Sequence, residues 1–237
     1  SNSMLAKDYS PNRLERAKLA ISRLVDKLNG DRIGLVLFAG TSFVQLPITT
    51  DYVSAKMFLG NISTESVPVQ GTAMGDAINT CIRSFSAQSE NSRAIVVITD
   101  GENHEDDPLS AAKQAAEMGI SVYTIGVGSS QGQPIPMKDG LLKDSNGNIV
   151  VTKLDEATLK QVAQAGKGAY VHAGNDEFGL NPIIDNIRKL NDEEFNSVVF
   201  EEYDEQYMYF FAIALVLLVV QMLIGERKVF GNLFAKN

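Results

Sequence analysis

Serine, threonine and aspartate side chains stand at three places in the sequence where their oxygens could hold a metal ion. These places are Ser1-Asn2-Ser3, Gly71-Thr72 and Thr99-Asp100-Gly101. Hydroxyl and carboxylate oxygens are hard ligands, and a set of them suits Mg2+, Mn2+ or Ca2+ rather than zinc. Two of these places also have a plain structural explanation, because Asp-Gly commonly forms a turn and a threonine before a helix commonly caps it.

The loop after Thr99 is dense in ionisable groups, which raises the alternative of a metal-dependent hydrolase or phosphatase. The groups are Asp100, Glu102, His104, Glu105, Asp106 and Asp107. They match neither the H-E-x-x-H pattern of metalloproteases nor the G-x-x-x-x-G-K pattern of phosphate-binding loops. We therefore expect a protein that is not an enzyme. In this interpretation the loop is solvated, and its carboxylates lie at the positive end of the following helix.

Apolar periodicity predicts the elements that hold these places. Helical spacings cover Asn12–Leu28, Tyr52–Leu59, Ala73–Ser84, Leu109–Met118, Glu156–Ala165 and a segment around Pro182–Leu190. Short apolar runs predict strands at Ile33–Phe38, Phe43–Ile48, Ala94–Thr99, Val122–Val127 and Ala169–His172, the second of which pairs with the first as an edge hairpin. Because strands alternate with helices, we predict an α/β fold with a doubly wound, mostly parallel sheet and helices on both faces.

This fold predicts where the oxygen-bearing places lie. In open parallel sheets ligands bind beyond the carboxyl ends of the strands, so the three places are expected to meet at that edge. A receiver domain shares the fold, but it would need an early acidic pair and a strand-end lysine, and neither pattern is present. A surface hairpin inserted at about 129–151, with Asn146-Gly147 at its turn, interrupts the alternation.

The first predicted helix carries a row of basic residues. They are Arg13, Arg16, Lys18, Arg23 and Lys27. The simplest interpretation is the solvated face of an amphipathic helix, and the alternative is a docking face for an acidic partner. The whole chain has a formal net charge of -8. Since binding to phosphate backbones depends on clustered Lys and Arg, we expect no nucleic-acid partner.

The C-terminal part of the sequence predicts a membrane anchor. The uncharged run YMYFFAIALVLLVVQMLIG, residues 207–225, has the length of one transmembrane helix. An acidic connector precedes it at 191–206, and the tail at 226–237 carries Arg227, Lys228 and Lys236. The positive-inside rule then places the tail in the cytoplasm and the α/β domain on the periplasmic, external side of the inner membrane.

The three oxygen-bearing places, taken together, resemble the three loops of a von Willebrand factor A (VWA) domain. In that family they form the metal-ion-dependent adhesion site, or MIDAS, whose first loop reads Asp-x-Ser-x-Ser. The resemblance implies that Ser1, Ser3, Thr72 and Asp100 are metal ligands, with Mg2+ as the expected metal and Mn2+ or Ca2+ as alternatives. The leading aspartate would lie two residues before Ser1, in a first strand, so we expect residues 1–190 to be a VWA-like domain that lacks its first strand and has an incomplete site.

A second, narrower resemblance is carried by the segments PNRLERAKLAISRLVDKL, DRIGLVLFAGTSFVQLPITTDYVSAKMFL, QGTAMGDAI and VVITDGENHEDDP. They are similar to the membrane-anchored proteins of the Bacteroides aerotolerance (Bat) family. This implies a component of an envelope complex linked to oxidative stress, with other Bat or VWA membrane proteins and a MoxR-type AAA+ ATPase as partners. A partner protein would supply an acidic side chain to the metal. A scaffold without metal is the remaining alternative.

Overall fold

The computed structural model describes residues 1–85, 92–103, 105–137, 140–173, 183–187 and 214–221. The chain divides into two compact units, Ser1–Asp192 and Glu193–Asn237. Residues 214–221 belong to the second unit and are helical. All other described residues belong to the first unit.

Helices and strands alternate through the first unit. The helices are α1 (Arg13–Lys27), α2 (Tyr52–Gly60), α3 (Met74–Ser84), α4 (Pro108–Glu117) and α5 (Glu156–Ala165), and residues 183–187 are also helical. The longer strands are β1 (Ile33–Phe38), β2 (Ser42–Thr49), β3 (Arg93–Thr99), β4 (Ile120–Gly126) and β9 (Lys167–His172). Between β4 and α5 lie the two-residue strands β5 (Gln133–Pro134), β6 (Pro136–Met137), β7 (Gly140–Leu141) and β8 (Val151–Thr152). These bounds confirm the predicted helices and strands up to His172, with ends that differ by one or two residues.

A parallel sheet in the order β3-β4-β9 forms the centre of this unit. Successive side chains of a strand point to opposite faces, and both faces are apolar here. On one face Ile95 and Val122 pack with apolar residues of α3, α4 and α5. On the other face Ile125 and Val127 pack with α1 and with residues 183–187. The predicted parallel sheet with helices on both faces is therefore confirmed.

Strands β1 and β2 form an antiparallel pair that is separate from the parallel sheet. A cavity of about 350 Å³ is lined by residues of β1 and β3, together with Ser1, Ile78 and Cys81. Within the described part of the chain, β1 pairs with β2 and β3 with β4, and neither strand has a second neighbour. The predicted edge hairpin is present, but no described strand joins it to the sheet.

Side-chain caps begin four of the helices. Asn12, Asp51, Asp107 and Asp155 each accept a hydrogen bond from a backbone amide in the first turn of the helix that follows. Such a cap stabilises a helix by about 1 kcal/mol. Helix α3 differs, because Ala73 at its cap position has no side-chain acceptor. Its first amides depend on a partner from elsewhere in the fold.

The segment between β4 and α5 forms two short antiparallel pairs, β5 with β8 and β6 with β7. Its tip is the turn Asp144–Asn148, where the Asp144 amide donates to the Asn148 carbonyl at 2.9 Å and Gly147 has a φ of +84°. The return strand β8 brings Thr152 back into the interior, where only 1% of its surface is exposed. This segment therefore reaches from the surface to the edge of the sheet.

The predicted membrane segment is only partly described. No helix within the described ranges is both long and apolar enough to cross a membrane. Residues 214–221, which fall inside the predicted span 207–225, are helical and exposed. The rest of that span, the connector 191–206 and the tail 226–237 lie outside the described residues.

Candidate functional site

The predicted site lies at the carboxyl edge of the parallel sheet, directly after β3. Asp100 is the first residue beyond that strand, and 1% of its surface is exposed. Ser1 directly precedes a 3-10 turn at Asn2–Leu5, and Ser3 lies within that turn. Thr72 lies two residues before α3. Ligands of open parallel sheets bind at this edge.

Two donors hold the Asp100 carboxylate by the same oxygen. Its Oδ2 accepts hydrogen bonds from Arg13 Nη1 at 3.1 Å and from Thr152 Oγ1 at 3.1 Å. Its Oδ1 accepts no hydrogen bond from any described residue. Since every fully buried polar side-chain atom in the described part of the chain has a partner, Oδ1 is not fully enclosed, although only 2% of the Asp100 side chain is exposed. The carboxylate is therefore fixed by one oxygen and presents the other.

The Ser1 and Ser3 hydroxyls lie side by side, with 3.1 Å between their Oγ atoms. The Ser3 carbonyl oxygen is 3.5 Å from Arg13 Nη1, the same nitrogen that contacts Asp100. The structure thus brings Ser1, Ser3 and Asp100 together.

Thr72 lies just before α3, and residues of the loop after β3 cap the first amides of this helix. Asp106 accepts hydrogen bonds from the amides of Gly75 at 3.0 Å and Asp76 at 2.6 Å, and Asn103 Oδ1 accepts from the Met74 amide at 3.3 Å. The Thr72 hydroxyl makes no hydrogen bond within the described residues, although Thr72 is buried. The explanation of Thr72 as a helix cap is therefore wrong, because Asp106 accepts the hydrogen bonds from the start of α3. The Thr72 hydroxyl is left without a hydrogen-bond partner among the described residues.

Two other carboxylates of this loop, those of Glu102 and Asp107, accept hydrogen bonds from backbone amides. Asp107 accepts from the amides of Leu109 and Ser110 as the cap of α4, and Glu102 accepts from the Lys153 amide at 2.8 Å. His104 lies outside the described residues. In the described ranges no group of three or more His, Cys, Asp or Glu could hold a metal. These contacts give Glu102 and Asp107 structural roles in the loop.

A serine motif that sequence reasoning passed over follows β4. Residues 128–132, GSSQG, have the letters of the nucleophile elbow G-x-S-x-G, which requires a strand followed by a helix. Here strand β5 begins at Gln133, and Ser130 at the centre is exposed. The elbow geometry is absent from this described segment, so the motif gives no nucleophile.

Arg13 departs from the predicted solvated basic face, whereas Arg23 and Lys27 are exposed and Arg16 and Lys18 are half-buried, as predicted. Arg13 is 0% exposed and lies between the carboxylates of Asp8 and Asp100. The helical spacing does indicate that Arg13 is buried, because it shares one helix face with Ala17 and Ala20, both of which are buried. A cation at a helix N-terminus is opposed by the helix dipole, and here two carboxylates offset that cost.

The donors fit a hard divalent cation. An octahedral Mg2+ with bonds of about 2.1 Å places neighbouring ligands about 3 Å apart, and the two serine oxygens are 3.1 Å apart. With the hydroxyl of Thr72 and the carboxylate of Asp100, the predicted ligands would offer three hydroxyls and one carboxylate. The chemistry of this set suits Mg2+ or Mn2+.

Two solved Bacteroides proteins are similar to this chain over most of its length. The crystal structure of BatB from Bacteroides thetaiotaomicron has a TM-score of 0.77 and 50% identity, covering 80% of this chain and 95% of that chain. An aerotolerance-related membrane protein from Bacteroides fragilis, solved with multiple mutations to serines, has a TM-score of 0.77 and 49% identity, covering 80% and 94%. The resemblance to the Bat family is therefore confirmed.

More distant relatives are longer than this chain. A UPF0353 protein of Nocardia farcinica is 31% identical over 208 residues, covering 80% of this chain and 60% of that protein. An uncharacterized protein of Borreliella burgdorferi is 27% identical over 229 residues, covering 95% of this chain and 66% of that protein. The chain thus spans less than two thirds of the length of these relatives.

A mussel byssus protein, proximal thread matrix protein 1, shares the fold at 17% identity with a TM-score of 0.56, covering 79% of this chain and 43% of that chain. That protein was solved with zinc in its MIDAS motif. The family profile of the von Willebrand factor type A domain matches residues 1–178. Since this match covers well over half of the chain, the protein belongs to the von Willebrand factor type A domain family.

Proposed function

We propose that this protein is a membrane-anchored VWA module that binds other proteins through a divalent metal ion and catalyses no reaction. Ser1, Ser3, Thr72 and Asp100 are the metal ligands, and Mg2+ is the metal, with Mn2+ or Ca2+ as substitutes. The observation that carries the proposal is the Asp100 carboxylate, which is buried and fixed through Oδ2 while Oδ1 has no hydrogen-bond partner among the described residues. The hydrogen-bonded serine hydroxyls beside it supply matching ligands.

The bound metal would supply positive charge and an open coordination position. The three hydroxyls bring no charge, and the charge of Asp100 is shared with Arg13. A carboxylate on a partner protein is the ligand that such a site favours. The residues of this chain bind and orient in this mechanism, and no bond is broken.

An aspartate outside residues 1–237 completes the proposed site. The family pattern places it two residues before Ser1, on a strand. The cavity between β1 and β3 supports such a strand, because both lining strands have a free edge among the described residues and Ser1 also lines the cavity. In the proposed arrangement that strand joins the two sheets and delivers its carboxylate to the serines.

The similarity to BatB and to an aerotolerance-related membrane protein supports a place in the cell envelope. In the proposal, residues 207–225 anchor the protein in the inner membrane, the domain faces the external side and the tail is cytoplasmic. The acidic connector and the basic tail support that orientation. Other Bat-type membrane proteins and a MoxR-type AAA+ ATPase are the proposed partners, in a complex that protects against oxidative stress.

Isothermal titration of the full-length protein with Mg2+, Mn2+ and Zn2+ tests the metal site. The parent is compared with Asp100→Asn, which keeps the shape of the side chain, and with Asp107→Asn, which keeps the cap of α4. We expect at least a tenfold loss of Mg2+ affinity in Asp100→Asn and parental affinity in Asp107→Asn. Equal binding by the parent and Asp100→Asn would contradict the site. Phosphatase or esterase turnover that Asp100→Asn abolishes would favour the enzyme alternative.

A further inference from the structure

Arg13 is the centre of a buried charge cluster beside the proposed site. Its Nε donates to Asp8 Oδ1 at 2.8 Å and its Nη2 donates to Asp8 Oδ2 at 2.6 Å, which is the two-pronged geometry that arginine forms with carboxylates. Its Nη1 donates to Asp100 Oδ2 at 3.1 Å and to Thr152 Oγ1 at 3.2 Å. The Thr152 hydroxyl in turn donates to the same Asp100 oxygen.

The guanidinium has no room to move away from Asp100. Gly128 packs against it so closely that a Cβ there would lie 2.7 Å from Arg13 Nη2. Gly128 has a φ of +137°, in the region that favours glycine. The Ser129 amide donates to Asp8 Oδ2 at 2.8 Å, which holds the far side of the cluster. Arg13 is therefore locked in place on both sides.

We infer that Arg13 determines the metal selectivity of the site: by occupying Asp100 Oδ2 it limits this carboxylate to one metal-facing oxygen, which favours Mg2+ and Mn2+ over Ca2+. The inference rests on the proposed function. Calcium takes six to eight oxygens and commonly binds both oxygens of a carboxylate, whereas Mg2+ takes six ligands and keeps several waters. A carboxylate with one oxygen already held by Arg13 can still bind Mg2+ through its other oxygen, but it cannot bind Ca2+ through both oxygens.

The ratio of the Ca2+ and Mg2+ affinities separates the effect of the number of available Asp100 oxygens from the effect of charge. Removal of Arg13 together with Asp8 leaves the formal charge of the cluster unchanged, and any remaining change in the local field acts on Ca2+ and Mg2+ alike. Once Arg13 is removed, Thr152 is the one described donor left on Oδ2, and the partly released oxygen strengthens binding of Ca2+ alone. A change in the ratio of the Ca2+ and Mg2+ dissociation constants therefore reports on the number of available oxygens.

The test uses the full-length double variant Asp8→Asn/Arg13→Met, which removes a buried carboxylate and a buried cation together and so avoids one uncompensated charge. Ca2+ and Mg2+ are titrated separately, and circular dichroism checks the fold. We expect the preference for Mg2+ over Ca2+ to fall by about tenfold. Arg16→Met, on the same helix, leaves the Arg13 contacts in place and should keep the parental ratio.

A folded double variant with the parental ratio would overturn the inference while leaving the metal site intact. Absence of any metal binding by the parent would instead overturn the proposed function and this inference with it. If the double variant does not fold, Thr152→Val decides, because it removes one of the two donors to Asp100 Oδ2 and keeps the side-chain shape. A shift of about twofold toward Ca2+ supports the inference, and an unchanged ratio overturns it.

Discussion

Two aspartates of the loop after β3 differ in the partners that hold them. Asp100 is buried and accepts hydrogen bonds from a guanidinium and a hydroxyl, both on one oxygen. Asp106 is exposed and accepts from two amides at the start of α3, one on each oxygen. The first arrangement leaves one oxygen without a hydrogen bond from the described residues, and the second uses both oxygens to position a helix.

The comparison shows how one loop can combine a binding residue with its support. The Asp106 contacts replace the side-chain cap that α3 lacks. The Thr72 hydroxyl is therefore not needed to cap this helix. The Arg13 contacts orient Asp100, but they also make the stability of the fold depend on a buried charged side chain. Substitutions around Arg13 should therefore cost more stability than substitutions around Asp106.

Arg13→Met is expected to have the largest effect. It leaves Asp8 and Asp100 buried without their cation, and breaking a buried ion pair in this way costs about 3–5 kcal/mol. Urea unfolding at neutral pH, followed by circular dichroism, measures the loss. Arg16→Met is the control on the same helix and should stay within about 0.5 kcal/mol of the parent. A loss below about 1 kcal/mol for Arg13→Met would show that the cluster contributes little to stability.

Asp8→Asn is expected to have a smaller effect that depends on pH. Burial raises the pKa of Asp8, but the hydrogen bonds and charge of Arg13 and the Ser129 amide outweigh it, so the pKa is lowered overall. A carboxyl with a lowered folded-state pKa stabilises the protein above its unfolded pKa of about 3.9 and loses this contribution as the pH falls through the folded value.

The parent should therefore exceed Asp8→Asn by about 1.5–3 kcal/mol at pH 7, and the difference should shrink below about pH 4. Urea unfolding between pH 7 and pH 3 measures both proteins. Asp26→Asn removes an exposed partner of Lys56 and is expected to cost about 0–1 kcal/mol at pH 7. A difference between the parent and Asp8→Asn that stays constant down to pH 3 would contradict the assigned pKa direction.

Asp106→Ala is expected to have the smallest effect, about 0.5–2 kcal/mol, because it removes only the cap of α3. Asp106→Asn keeps a capping oxygen and should lose less than half as much. Thermal unfolding of the two variants measures the difference. If Asp106→Ala cost as much as Arg13→Met, the distinction between the two aspartates would fail.

Periodicity predicted the described elements well because the two apolar clusters, one on each face of the sheet, take residues from most of these elements at regular spacing. Ile95 and Val97 alternate along β3, and Ala17 and Ala20 follow the helical repeat in α1. The contacts across the chain were harder to predict. Thr152 is far from Asp100 in sequence, and no local pattern announces their hydrogen bond. Arg13 was misread because a basic residue on a buried face needs a buried partner, which only the tertiary structure reveals.

Anomalous diffraction from crystals of the full-length protein soaked in Mn2+ tests the central claim most directly. The account predicts one strong peak beside Asp100 Oδ1 and the hydroxyls of Ser1, Ser3 and Thr72, and loss of that peak in Asp100→Asn. Asp106→Asn should keep it. A peak at the Asp106 carboxylate instead, or none in the parent at saturating Mn2+, would contradict the division of roles between the two aspartates and the metal-dependent function built on it.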